Sequence, residues 1–208
     1  MQNKRVIIVK IGLHLLCLLP FTRLIFKYFT NDLGANPLEF ITRSTGTWTL
    51  VILLVSLSIT PLRKIKSLNW IIKLRRLLGL YAFFYVCLHF TTYLWFDQFF
   101  TLTSITKDIY KRPFITIGFA AFVLLTPLAA TSTKAALKLL TGKRWQQLHR
   151  LVYPAAICGV VHYYWLVKAD ITQPVIYAII LALLFGVRLS GKLFKLPKPA
   201  TNAALKSK

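Results

Sequence analysis

The sequence predicts an all-α protein, a polytopic membrane bundle of six transmembrane helices with both termini in the cytoplasm. Three observations carry that prediction. Of 208 residues, 56% are hydrophobic and only 15% charged, against about 25% charged in a soluble domain, and the mean hydropathy is +0.61. The apolar residues come in blocks of membrane-spanning length, a bilayer core needing roughly 20 residues of helix. The charges, finally, segregate to alternate connections.

The six blocks are read at about 6–26, 47–62, 77–96, 114–130, 148–167 and 175–189. The second and sixth are short for a span. Pro, Gly, Asn, Thr or charge punctuates the connections, as turns require, and the connections leave no room for a separate soluble domain. The chain therefore reads as one membrane domain over residues 1–208, with a basic cytoplasmic tail at 191–208. The start, a basic pentapeptide followed by an apolar run, has the outline of a signal peptide. No small-residue cleavage site follows it, so an uncleaved first span is expected.

Twenty of the 27 basic residues fall on one side: Lys4, Arg5 and Lys10, then 63–76, then 134–150, then Arg188 and the tail. The other side holds Arg23, Lys27, Arg43, Lys107, Lys111, Arg112 and Lys168, with all five acids: Asp32, Glu39, Asp97, Asp108 and Asp170. The positive-inside rule then places both termini in the cytoplasm with an even number of spans. The formal charge of +22 is thus a topology signal and not a nucleic-acid footprint. Short basic loops also attract anionic lipid.

Ionisable residues inside spans are costly and tend to serve a function. No Asp or Glu lies within a block, which argues against a carboxylate proton relay. Cys17, Cys87 and Cys158 are isolated in apolar blocks and read as small packing residues. All four histidines, His14, His89, His149 and His162, fall in apolar blocks. Imidazole binds haem iron, and a bis-histidine haem in a bundle takes one His from each of two facing helices.

Depth selects the pair. His89 lies 13 residues past Arg76, and His162 lies 14 past Leu148. At 1.5 Å per residue both sit about 20 Å along parallel spans, in the outer half, and so are candidate axial ligands of one iron. His149 lies about 20 Å nearer the cytoplasm and is placed for a second, inner site, as a haem ligand or in a quinone or flavin site. The straight-helix phase between His149 and His162 is off by about 140°, which a kink at Pro154 could correct. His14, at a comparable inner depth, is the substitute partner for an inner haem, against the favoured reading of an interior His bonded to a backbone carbonyl or a headgroup. A faint repeat, Ile59-Thr60-Pro61-Leu62 and Leu125-Thr126-Pro127-Leu128, each followed by a basic loop and a His, suggests two hairpins sharing one cofactor.

Arg75-Arg76-Leu77-Leu78-Gly79-Leu80 leading to Leu88-His89, with Trp145-Gln146-Gln147-Leu148-His149 and His162-Tyr163, resembles the MsrQ family. That family supplies the haem-binding membrane subunit of a bacterial protein-methionine-sulfoxide reductase system, within the ferric reductase-like transmembrane superfamily. The resemblance implies a b-type haem, one and conceivably two, held by His89, His162 and His149, and an FMN cofactor. It also implies residence in the bacterial inner membrane. Electrons would come from the quinone pool or a cytosolic flavin reductase and pass to a periplasmic molybdopterin-containing subunit, MsrP, which repairs oxidised proteins. Superfamily members with two haems carry two histidines on the third helix, and this chain keeps only the outer one. Arg75, Arg76 and Trp145 are the candidate quinone or FMN residues, while the outer segments 31–43 and 97–112 are the candidate docking surface. A small transporter and a haem-free anchor subunit are the alternatives.

Overall fold

The computed structural model describes residues 4–63, 65–167 and 169–193. The described residues are helical, with no strand. Five helices are long and apolar enough to cross a membrane. We label the α-helices α1 Lys4–Phe29, α2 Pro37–Leu62, α3 Arg75–Thr92, α4 Leu102–Lys111, α5 Pro113–Ala130, α6 Lys134–Leu148, α7 Val152–Leu166 and α8 Thr172–Leu193. The chain is thus a multi-pass membrane protein.

The spans differ from their sequence boundaries for local reasons. The second block, read as 47–62, begins ten residues earlier, at Pro37. Asn36 caps it by accepting from the Glu39 amide at 3.2 Å and donating to the Glu39 carboxylate at 3.1 Å. Pro37 sits in the first turn, where a missing N–H costs nothing. Glu39 and Arg43 lengthen the helix without adding to the hydropathy that defined the block. In the fifth block, read as 148–167, the α-helix starts at Val152, after a 3₁₀ turn at His149–Leu151. At 15 residues α7 is shorter than the five spanning helices. The phase correction therefore comes from that turn and not from Pro154, which lies in the first turn of α7. Three residues at about 120° narrow the gap between His149 and His162 to about 80°.

Connections read as loops are partly helical. The segment 97–112 contains α4, and 31–43 contains the first turns of α2. The basic stretch Lys66–Leu74 is 3₁₀ helix. The tail beyond residue 193 lies outside the described residues, as do Lys64 and Lys168.

Contacts fix the directions. α2 packs chiefly on α3, and α5 on α7. Thr42 meets Thr92 and Ser56 meets the Arg75 carbonyl, so α2 and α3 are antiparallel. His162 meets Phe114 and His149 meets Thr131, so α5 and α7 are antiparallel too. α8 runs back along α7, with Tyr177 on Tyr163 and Phe185 against Tyr153. The acids gather at one end of the bundle, where Lys27 bonds Asp32 at 2.6 Å and holds its carboxyl below the ordinary carboxylate range. We call this the acid-bearing end and the opposite one the basic end. α1 lies at the periphery, with Ile8, Leu15, Leu16 and Phe26 exposed as a lipid-facing surface requires.

The core lies where α2, α3, α5 and α7 meet: Leu57, Ala82 and Ala156 are wholly buried, and Leu53, Leu125 and Val160 nearly so. Tyr85 ties α1 to it. Its hydroxyl donates to the Cys17 carbonyl at 2.7 Å and accepts from the Phe21 amide at 3.1 Å. It thus bridges two groups that an uninterrupted helix would pair with each other, beside Pro20. Tyr85→Phe strands both groups in a nearly dry site. The expected cost is about 1–3 kcal/mol, read as a lower thermal midpoint in detergent.

Candidate haem site

Each of two helix hairpins presents one histidine to the space between them. His89 on α3 is backed by α2, and His162 on α7 by α5. The two rings face each other at 6.1 Å between centroids, with planes 73° apart. The histidine depths read from the sequence therefore do bring these two side chains together.

Their second nitrogens are fixed in the same way. His89 Nδ1 lies 3.0 Å from the Thr42 carbonyl, and His162 Nδ1 lies 2.7 Å from the Phe114 carbonyl. A carbonyl accepts, so Nδ1 donates and Nε2 is left as the basic nitrogen. Metal-binding histidines are commonly oriented by such a bond. Four residues beyond each carbonyl stands a glycine against the ring. A Cβ on Gly46 would lie 3.0 Å from His89 Cε1, and one on Gly118 would lie 2.7 Å from His162 Nδ1. The repeat suspected from the Thr-Pro segments is thus a repeat of carbonyl, glycine and histidine. Thr-Pro itself begins 14 residues past the glycine in one hairpin and eight in the other. No sequence signal marked these glycines, because Gly is common in membrane helices. Their spacing to the histidines, 43 and 44 residues, is the clue that could have found them.

Both histidines line a cavity of about 340 Å³, within the range of small-molecule sites. Gly46, Gly118, Ala121, Ala155 and Gly159 make its small walls, and Leu50, Leu53, Phe90, Phe122 and Leu125 its apolar ones. Arg43, Tyr93, Asp97 and Arg112 line it from the acid-bearing end. Arg112 pairs with Asp108 at 2.9 Å and Arg43 with Glu39 at 2.6 Å. Tyr93 and the buried Gln98 both donate to Asp108, so a polar network closes this end.

These residues fit a haem. An imidazole nitrogen binds a first-row metal at about 2 Å. Two such bonds, plus about 1 Å from each nitrogen to its ring centre, give roughly 6 Å between centroids, which matches the observed spacing. Among the described residues no group of three or more His, Cys, Asp or Glu is arranged to hold a bare ion. The apolar walls suit a porphyrin, and the two arginines its carboxylates.

The other candidates separate. His14 is exposed and hydrogen-bonds the Tyr81 hydroxyl at 2.7 Å, a side-chain partner and not the backbone group expected of an interior His. Toward the basic end, Trp145 stacks on His149 at 3.8 Å. His149 Nε2 lies 3.2 Å from the Thr131 hydroxyl, and Trp145 donates to the Thr131 carbonyl. Arg75 is half-buried and acts electrostatically on His149, whereas Arg76 is exposed. The structure thus joins Trp145 and His149, with Arg75 within electrostatic reach of the imidazole, and leaves Arg76 at the surface.

Residues 44–160 match the family described as "Ferric reductase like transmembrane component". Among relatives, one from Herminiimonas arsenicoxydans is 57% identical over 87% of this chain and 84% of its own length. One from Ralstonia nicotianae is 54% identical, covering 86% and 84%, and one from Rhodospirillum rubrum is 51% identical, covering 86% of each. All three bear the name protein-methionine-sulfoxide reductase heme-binding subunit MsrQ. The chain belongs to the MsrQ family. The ferric reductase match takes in Gly46, His89, Gly118 and His149 and stops two residues before His162.

Proposed function

We propose that the chain is a membrane b-type cytochrome subunit that conducts electrons across the bacterial inner membrane for a protein-methionine-sulfoxide reductase. The single observation carrying this reading is the His89–His162 pair, 6.1 Å apart in an apolar cavity. Its support is the name shared by relatives more than 50% identical. A haem bound there would supply reversible one-electron chemistry. His89 and His162 would hold its iron, the Thr42 and Phe114 carbonyls would keep each imidazole in its binding tautomer, and Arg43 and Arg112 would meet its carboxylates. The walls keep water out and so help set the potential.

α7 with its 3₁₀ turn is the sixth crossing in this reading, and the basic end is cytoplasmic. The site then lies nearer the periplasm. The acceptor is a molybdopterin-containing MsrP subunit docking over 31–43 and 97–112. The donor, the quinone pool or a cytosolic flavin reductase, works at the basic end, where Arg75, Trp145 and His149 form the quinone or FMN site and Arg76 stands at the surface beside it. His149 serves that donor site, and the haem count is one per chain.

The test is reconstitution in liposomes with the catalytic subunit outside and a flavin reductase system inside. Wild type is expected to drive reduction of a methionine sulfoxide peptide, and His162→Ala to lose at least nine-tenths of the rate. Equal rates, or no rate with wild type, overturn the relay.

A further inference from the structure

The segment after α3 carries an outward face that the haem site does not use. With its flanking turns, the spanning stretch built on α3 runs from Ser67 to Asp97, and Trp95 and Phe96 are exposed at its end. Phe99 and Phe100 continue this exposed row. Both have left-handed backbone, φ 46° and 56°, which large side chains rarely adopt. In α4 the row goes on with Leu102 and Tyr110, 77% and 89% exposed. At about 100° per residue, Leu102, Thr106 and Tyr110 share one edge of the helix, and Lys107 and Lys111 share the next. Among the described residues neither lysine pairs with an acid.

The opposite face of α4 is bonded into the bundle. Ile105 and Ile109 are partly buried, and Thr116 of α5 donates to the Ile109 carbonyl. Asp108 accepts from Tyr93 at 3.0 Å, from Gln98 at 3.1 Å and from Arg112 at 2.9 Å. Ser104 donates to Gln98 at 2.6 Å. Tyr93 and Arg112 line the haem cavity, so Asp108 fastens α4 to the wall that closes it.

An exposed aromatic row that prolongs a spanning helix lies at the level of the headgroups, where amphipathic rings collect. A basic edge beside an apolar edge is the pattern of a helix lying in that layer and drawn to anionic lipid. The row also runs on from a span that lipid already covers. We propose that α4 lies in the headgroup layer at the acid-bearing end, with Leu102 and Tyr110 at the acyl boundary and Lys107 and Lys111 on the phosphates of anionic phospholipid. This lipid latches α4 over the mouth of the haem cavity. The latch rests on the haem reading above, while the lipid site does not. It narrows the docking surface proposed there to 31–43 and the part of 97–112 that stands clear of the leaflet.

The experiment places haem-loaded protein in nanodiscs of phosphatidylcholine, with or without phosphatidylglycerol, and follows haem transfer to apomyoglobin. A lysine near an anionic surface is worth roughly fivefold in binding, so with two of them wild type is expected to lose haem about tenfold more slowly in the anionic discs. Lys107→Gln with Lys111→Gln is expected to erase the difference. Lys134→Gln with Lys138→Gln, at the basic end, is expected to keep it. Native mass spectrometry reads the lipid independently of haem, and wild type should retain more phosphatidylglycerol than the Lys107→Gln, Lys111→Gln protein. Equal transfer from wild type in both discs overturns the latch. A difference that survives in the Lys107→Gln, Lys111→Gln protein, or vanishes in the basic-end variant, puts the lipid elsewhere and overturns the site. Unchanged lipid retention with weaker binding of the catalytic subunit to the Lys107→Gln, Lys111→Gln protein gives the face to a protein partner and overturns it too. A colourless wild type that still retains phosphatidylglycerol through these lysines ends the haem reading and the latch but supports the lipid site.

Discussion

His89→Ala and His162→Ala each lower the haem-to-protein ratio of the purified subunit at least tenfold, with membrane yield little changed. In the proposed site each histidine would hold the iron from one side, and the pair faces across 6.1 Å, so neither could replace the other. Losing a residue that merely orients a ligand commonly costs 10–100-fold in metal affinity, and losing the ligand costs at least as much. Truncation also removes the partner of the Thr42 or Phe114 carbonyl. That penalty is about 1–3 kcal/mol, below the stability of a typical domain, so insertion survives. His14→Ala is the control. It breaks a bond to Tyr81 and leaves the haem in place. The check is a pyridine haemochrome assay on the purified variants.

Gly118→Ala comes second in size. The new Cβ would lie 2.7 Å from His162 Nδ1 and 2.8 Å from Cε1, nearer than carbon can approach a ring it is not bonded to. The ring cannot swing aside without breaking its 2.7 Å bond to Phe114, so α5 and α7 must part or the imidazole must turn. Either outcome misaligns the ligand, and haem retention is expected to fall 10–100-fold. Gly46→Ala meets His89 at 3.0 Å, where a shift of a few tenths of an ångström relieves the contact, so its effect is smaller. Gly12→Ala and Gly186→Ala enter open space and should change nothing. Competition of each variant with apomyoglobin for haem measures the series.

Much of this site was legible in the sequence because two long-range rules act on whole spans. Hydropathy blocks locate the helices, and helix rise converts position into depth, which paired His89 with His162 and set His149 apart. What those rules cannot see is direction around a helix and pairing between helices. Arg188 was counted as a tail charge, although its Nη2 donates to the carbonyl of the buried Leu57, because the positive-inside rule assigns a side and says nothing of where a guanidinium turns. Gly46 and Gly118 gain meaning only from the ring each faces. The early start of α2 was hidden because Asn36, Pro37 and Glu39 form a cap, which adds helix without adding hydropathy. α4 and the 3₁₀ stretch Lys66–Leu74 are too short and mixed for a span signal. The turn at His149–Leu151 was hidden because three residues of tighter winding leave no mark in composition.

The most direct measurement of the central claim is the low-temperature electron paramagnetic resonance spectrum of the oxidised, purified subunit, taken with its haem content. A bis-histidine site at His89 and His162 gives one haem per chain with a low-spin ferric signal, absent from both His89→Ala and His162→Ala. A colourless wild type, a high-spin ferric signal in wild type, or an unchanged low-spin signal in either variant would contradict it.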